Sequence, residues 1–357
     1  MTIGVEEEFL LVDPTTRRPV ARAVDVLARV RDLPPGARVH RELNAAQVEF
    51  STGVCADLAE LRDQLTAGRR ELAHAAHAEG LWLVASGSPP LADPRPALSA
   101  GERFERIESI YRGQVDAYQC CGCHVHVGVP DRETAVHVVD HLRRWLPTLL
   151  ALGGNSPFDR DRDTGYASWR MMDQARFPGS GVPPLFRTAA EYDARLGRLV
   201  DCGVLVDAGQ TFWLARPSPR YPTVEVRAAD AAATVDDALL QAGLTRALVD
   251  TARAAGPAPD LDDQVLAAAV WSAARHGLSG PGVDPVTARQ VPAVELVEAL
   301  LEHVSGALGD DRDLVHALVR DVLDRGTGAQ RQLRAGSPED AVELLACTPA
   351  EAGSPRS

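Results

Sequence analysis

The chain has 357 residues, 45% hydrophobic and 24% charged, enough to bury a large core, and its length suits one large or two ordinary domains. A formal net charge of −13 argues against a nucleic-acid backbone or an anionic membrane as the main partner. All 37 basic side chains are arginine and none is lysine, which excludes a P-loop and Schiff-base chemistry on an amine.

The first element, "GVEEEFLLVD" (4–13), reads as a strand. In an extended segment Glu6 and Glu8 share one face, about 6.7 Å apart, and Glu7 takes the other. Carboxylates so placed need cations, arginines or water as partners. "RELNAAQVEFSTGV" (41–54) reads as a second extended stretch. A helix follows over 57–80, capped by Asp57 and stopped by Gly80, with leucines at 58, 61, 65 and 72 on one side. "LWLVASGS" (81–88) is a strand entering a Pro-rich surface loop.

A helix-like segment at 102–117 precedes "YQCCGCHVHVGVP", whose alternation indicates a strand, and 131–152 reads as a helix kinked at Pro147. Residues 153–190 are irregular, and a loop that long in a compact domain is usually functional. "GVLVDA" (203–208) and "TVEVRAAD" (223–230) read as strands. From about 236 onward helical patterning dominates, and the tail from Thr348 is expected to be disordered. Strands arrive without regular β-α alternation, which indicates an α+β, mainly antiparallel architecture. No apolar run approaches the roughly 18 residues of a membrane span. The first strand begins at the N-terminus and leaves no room for a targeting peptide, so the expected location is cytoplasmic.

The six cysteines are expected to be reduced and mostly buried. "CCGCH" lacks a second ligand pair at zinc spacing, which disfavours a zinc site. His137 and His141, four apart on a helix, lack the Glu of an H-E-x-x-H motif and read as surface residues, as do His74 and His77.

Candidate chemistry gathers on the strands. Glu6, Glu8, Glu42, Glu49, His124, His126 and Glu225 all lie in expected sheet. In "HVHVG" both imidazoles share a face, and in "VEVR" Glu225 and Arg227 do. Taken singly, a Glu-rich strand reads as a solvent-facing surface and His-x-His as a satisfied polar pair; their joint occurrence is the signal. Oxygen donors with one or two nitrogens suit Mg²⁺ or Mn²⁺. Such ions bridge phosphates, making a nucleotide the natural ligand, and an arginine on the same face would complete the clamp.

Together "GVEEEFLLVD", "QVEFSTGVC", "CGCHVHVGV", "GGNSPF", "DTGYASWR" and "RPSPRYPTVEVRAAD" resemble, in order from residue 3 to about 290, the type 2 glutamate–cysteine ligases and the carboxylate–amine ligases grouped with them. The resemblance implies one ligase domain over 1–357: a core of about 3–290 and a helical part of about 291–347. Its fold would be that of the glutamine synthetase catalytic domain, a curved, mainly antiparallel sheet backed by helices.

By the same resemblance Glu6, His124 and Glu225 would hold one metal ion and Glu8, Glu42 and Glu49 another. His126 would neighbour the first, substituting for a ligand or orienting one. Arg227 would contact the transferred phosphoryl group, and Asn155, Ser156, Tyr166, Ser168 and Arg170 would form the substrate loop. Leu214 stands where many relatives carry an acid, on the side implied for the amine.

The implied reaction is ATP-dependent amide formation between a small-molecule acid, typically glutamate through its side chain, and an amine, by way of an acyl phosphate and with Mg²⁺, or Mn²⁺, as cofactor. Two alternatives stay open on the sequence: a phosphotransferase of guanidine-kinase type, and a non-catalytic metal- or nucleotide-binding protein. Homo-oligomerisation is open as well.

Overall fold

Eight strands form one sheet in which every pairing is antiparallel. They are β1 (Ile3–Val12), β2 (Arg38–Arg41), β3 (Gln47–Ser51), β4 (Trp82–Val84), β5 (Gly122–Gly128), β6 (Ala215–Pro217), β7 (Thr223–Asp230) and β8 (Ala346–Cys347). The computed structural model describes residues 1–94 and 96–347; the tail from Thr348, expected to be disordered, lies outside the described residues.

The strand order is β6-β7-β5-β1-β3-β2, with β4 beside the last residues of β1 and β8 beyond β4. At ten residues β1 is long enough to hold the sheet together. Along one edge it pairs with β5 through Ile3–Glu7 and with β4 through Leu10–Val12, and along the other with β3.

Period-two alternation splits the sheet into two chemically different faces. Ile3, Val5, Phe9 and Leu11 of β1, Val125 and Val127 of β5, and Val224 and Val226 of β7 join the main core, against helices Leu58–Ala78 and Val235–Arg253. The first of these helices is capped by Asp57, which accepts from the Glu60 N–H, and it buries Leu58, Leu61, Leu65 and Leu72. A Cβ added at its Gly68 would lie 2.1 Å from the Phe50 ring, so only glycine lets helix and β3 approach this closely.

Glu7 points into this core face. It is paired there with Arg69, whose Nε lies 2.9 Å from Glu7 Oε2 and whose Nη2 also donates to the Ala232 carbonyl at 2.8 Å.

Four local expectations are corrected. The stretch 41–54 is not continuous: Asn44 accepts from the Ala46 N–H at 2.8 Å and turns the chain, so β2 and β3 are separate strands and Glu42 sits on the connection. Helix 131–152 is two helices, Arg132–Leu142 and Leu146–Gly153, with Pro147 in the first turn of the second, where its missing N–H costs nothing. The segment 203–208 forms no strand. Leu205 and Val206 are buried there, so its apolar pattern reflects packing of a turn. The irregular stretch carries a small hairpin, Phe158–Asp159 with Arg162–Asp163, and the helix Trp169–Gln174.

The C-terminal part packs back onto the sheet: Gln332 donates to the Asn155 carbonyl at 2.8 Å and β8 pairs with β4. Among the described residues no helix is long and apolar enough to cross a membrane.

Candidate active site

Cross-strand register builds the site on the face opposite the core. Glu6 lies opposite His124, Glu225 opposite both His126 and Arg216, and Glu8 opposite Glu49. Glu42, on the β2–β3 connection, closes the open side. Two trios result, Glu6–His126–Glu225 and Glu8–Glu42–Glu49, each with its possible ligand atoms within 4.8 Å of one another.

His126, not His124, completes the first trio. His126 Nδ1 is held by Thr223 Oγ1 at 3.0 Å, which turns Nε2 toward Glu6 Oε1 at 3.3 Å. His124 stands between the trios, Nδ1 3.4 Å from Glu6 Oε2 and Nε2 3.9 Å from Glu8 Oε1. Both Nε2 atoms are buried without a hydrogen-bond partner.

The electrostatics divide along the same line. Burial alone would raise the pKa of Glu6, but His124 and His126 outweigh it and hold the carboxyl far below its ordinary range. Glu225 is also held low, because Arg216, Arg227 and His126 overcome its burial. In the second trio compensation is weaker: only the Glu49 hydrogen bond and the Leu43 N–H lower Glu42. Burial and the Glu8 charge push Glu42 up to about 7, and burial with the Glu42 charge drives Glu49 well up.

Crowded buried acids, beside imidazole nitrogens that make no hydrogen bond, fit divalent cations that take oxygen with some nitrogen. Glu6, His126 and Glu225 could hold one ion and Glu8, Glu42 and Glu49 another, and His124 is within reach of both trios.

Two arginines flank Glu225. Arg216 grips it with two hydrogen bonds, Nε to Oε2 at 2.8 Å and Nη2 to Oε1 at 3.0 Å. Arg227 donates to Oε1 and places Nη1 3.3 Å from His124 Nδ1. The "RPSPR" stretch gives Arg216 no role by itself; its place opposite Glu225 follows from a register that one strand alone does not reveal. At the floor, the Gly122 N–H donates to Glu8 Oε2 at 2.6 Å. A Cβ there would lie 2.5 Å from Arg170 Nη2 and 2.8 Å from His124 Nε2. Arg170 is 1% exposed, and its Nε and Nη1 lack hydrogen-bond partners.

The other members of the expected substrate loop do not face the acids. Ser156 and Ser168 donate to Asp230 at 2.6 and 2.8 Å, and the Asn155 N–H does so at 2.8 Å. The Asn155 amide donates to the Ala85 and Ala231 carbonyls. All three residues are buried, tying residues 155–168 to the end of β7. Tyr166 packs with Trp169, Trp271 and Arg275 instead. Leu214 is buried in the main core.

His137 and His141 are half-buried, and their Nε2 atoms face the Ala252 carbonyl, in the last turn of helix Val235–Arg253, at 3.0 Å, and the Gly256 carbonyl just beyond it at 2.8 Å. His74 and His77 are exposed. Cys120, Cys121 and Cys123 are buried, and burial pushes their thiols well up.

Family and fold are those of an ATP-dependent carboxylate–amine ligase. The model of the glutamate–cysteine ligase family 2 matches residues 2–346. The chain belongs to that family.

A Saccharopolyspora erythraea protein provisionally named glutamate–cysteine ligase 2-2 is 51% identical over 98% of this chain and 93% of its own length. A Nocardia farcinica protein provisionally named glutamate–cysteine ligase 2-1 is 45% identical over 97% and 91%. Among solved structures, the glutamate–cysteine ligase of Francisella tularensis in complex with AMP has a TM-score of 0.71 at 13% identity, covering 96% of this chain and 87% of that one. A bifunctional glutathione synthetase from Pasteurella multocida also scores 0.71, at 14% identity, covering 98% of this chain and 52% of that one.

Proposed function

We propose that this ligase joins the side-chain carboxylate of glutamate to an amine through an acyl phosphate, with ATP as phosphoryl donor and Mg²⁺, for which Mn²⁺ can substitute, at the two trios. The observation that carries the reading is the pair of ligand trios on one sheet face, with Arg227 reaching into the same space.

Divalent ions bound there would neutralise the triphosphate and the charge that develops as the phosphoryl group moves. The chain's own groups position and screen. Glu6 and Glu225, held ionised by their imidazole and arginine neighbours, are ready as anionic ligands. Thr223 fixes the ring of His126 so that Nε2 faces Glu6. Arg227, 17% exposed in its side chain, can offer its planar fork to phosphoryl oxygens.

Arg170, packed over Gly122 and 3.7 Å from Asp230, lies at the floor, where its positive charge would attract the carboxylate of the acid substrate. No covalent protein nucleophile is required. The acid oxygen attacks the γ-phosphorus and ADP leaves; the amine nitrogen then attacks the acyl carbon and phosphate leaves.

The test is ADP release with glutamate, MgCl₂ and a panel of amines, with mass detection of the product. A γ-glutamyl amide formed in step with ADP is expected. Stable phosphoglutamate without amide, or no ADP with any pair, would overturn the assignment.

A further inference from the structure

Behind the floor of the acid face lies a buried polar knot centred on Asp230, the last residue of β7 and fully buried. Three donors hold its carboxylate: the Asn155 N–H and Ser156 Oγ on Oδ2, at 2.8 and 2.6 Å, and Ser168 Oγ on Oδ1 at 2.8 Å. The chain leaving β4 confines it from another side, since a Cβ added at Gly87 would lie 2.6 Å from Asp230 Cγ. Asn155 is locked in turn. Its carbonyl and side-chain oxygens accept from Gln332 Nε2 at 2.8 and 2.7 Å.

Arg170 is the cation of this knot. Its Nη1 stands 3.7 Å from Asp230 Oδ1, beyond hydrogen-bond distance, so the attraction between them is one of charge. Its backbone N–H donates to Ser156 Oγ at 3.1 Å. At the other end of the guanidinium, Nη2 reaches the Arg227 carbonyl at 3.4 Å. That carbonyl lies where the register of β7 against β5 shifts, between Val226 and Ala229, and such a bulge takes backbone groups off the ladder. Nη2 is also the atom over Gly122. Asp230 on the Nη1 side thus turns the opposite end of the guanidinium toward the acid face.

The other buried arginines of the sheet are bound differently. Glu7 takes both Nε and Nη2 of Arg69, and Glu225 takes both Nε and Nη2 of Arg216. Asp230 does not grip Arg170 in this way, because its oxygens already accept from three other donors. Among the described residues Nε and Nη1 of Arg170 have no hydrogen-bond partner. Burial raises the Asp230 pKa, and the Arg170 charge leads the groups that oppose the rise. A buried guanidinium needs such a counter-charge, and one held at this distance fixes the cation without enclosing it.

We propose that Asp230 is a positioning residue for the acid substrate: it holds the Arg170 guanidinium beneath Gly122 so that the cation draws a substrate carboxylate to the floor of the acid face. This rests on the ligase reading and adds to it a residue that touches neither substrate nor metal. Asn155, Ser156 and Ser168 then serve acid binding at one remove, by holding Asp230.

The test compares the full chain as wild type, Asp230→Asn, Arg170→Gln and the double variant. ADP release with MgCl₂ and hydroxylamine as the amine gives the KM for glutamate and for ATP, calorimetry with a non-hydrolysable ATP analogue gives the Kd for glutamate, and thermal melts report folding. Asp230→Asn keeps the side-chain shape and removes its charge; KM and Kd for glutamate should rise about ten-fold while the KM for ATP moves less than about two-fold. The double variant should bind glutamate within about two-fold of Arg170→Gln alone, since Asp230 acts through Arg170. Ser168→Ala frees Oδ1, the oxygen facing Arg170, to close on the guanidinium, and should raise the KM for glutamate about three-fold.

A folded Asp230→Asn protein with wild-type glutamate affinity, an equal rise in KM for glutamate and ATP, or losses that add in the double variant overturns the inference. Where Asp230→Asn does not fold, unchanged glutamate affinity in Ser168→Ala overturns it. A wild type that releases no ADP with glutamate overturns the ligase reading; if it still binds glutamate the calorimetric comparison decides the inference, and if it does not the inference falls as well.

Discussion

Arg216 and Glu225 face each other across β6 and β7, and the guanidinium holds both carboxylate oxygens of a residue that is 2% exposed. Glu225 can therefore stay ionised while buried. Arg216→Met should leave that charge with only Arg227 and His126, costing roughly 3–5 kcal/mol of stability and most of the ADP release. Thermal melts and steady-state turnover measure the two effects. A variant that melts and turns over as wild type would remove Arg216 from the site.

The Glu7–Arg69 pair is the structural counterpart on the other face, buried on both sides. Arg69→Met alone should destabilise by roughly 3–5 kcal/mol, and adding Glu7→Leu should return most of that loss, since matched apolar replacements of buried pairs are often neutral. Urea midpoints of the two single variants and the double variant form the cycle. Independent, additive losses would show that the two side chains do not act as a pair.

Gly122→Ala should fold and fail to turn over. The added methyl meets Arg170 Nη2 and His124 Nε2, where the proposed acid substrate approaches. Circular dichroism and ADP release separate the two outcomes, and normal turnover in a soluble Gly122→Ala protein would show that the floor is not used.

Asp173 makes stability depend on pH in a defined direction. Its folded pKa of about 6 lies above the ordinary 3.8, so between those values the folded state keeps a proton that the unfolded state has lost. Stability falls as pH rises through this window, and the loss is complete above about pH 6. Asp173→Asn should match wild type near pH 3.5 and be more stable at pH 7, by at most about 3 kcal/mol. Equal unfolding free energies at both pH values would contradict the buried-acid reading.

The parts of the site that depend on alternation alone were legible in the sequence. Glu6 and Glu8 face away from Glu7, and His124 and His126 away from Val125, as period-two geometry requires. What depended on register was not legible. Nothing in "HVHVG" says that His126 lies opposite Glu225, or that Thr223 turns its ring, so the grouping of His126 with Glu6 and Glu225 could not be read from the sequence. Asn155, Ser156 and Ser168 were expected to bind substrate because small polar residues in a long irregular stretch suit that role. Asp230, the buried carboxylate that gathers them, lies more than sixty positions further along the chain. The turn at 203–208 mimicked a strand because apolar residues pack in turns as well as in sheets.

The placement of β8 bears on how the molecule is assembled. Residues 346–347 flank β4, which borders β1, the strand that carries Glu6 and Glu8. Until those late residues arrive, β4 presents an unpaired rim of backbone donors and acceptors that another polypeptide could adopt. A nascent or truncated chain stopping short of residue 346 would thus hold the catalytic strand in place yet be prone to self-association.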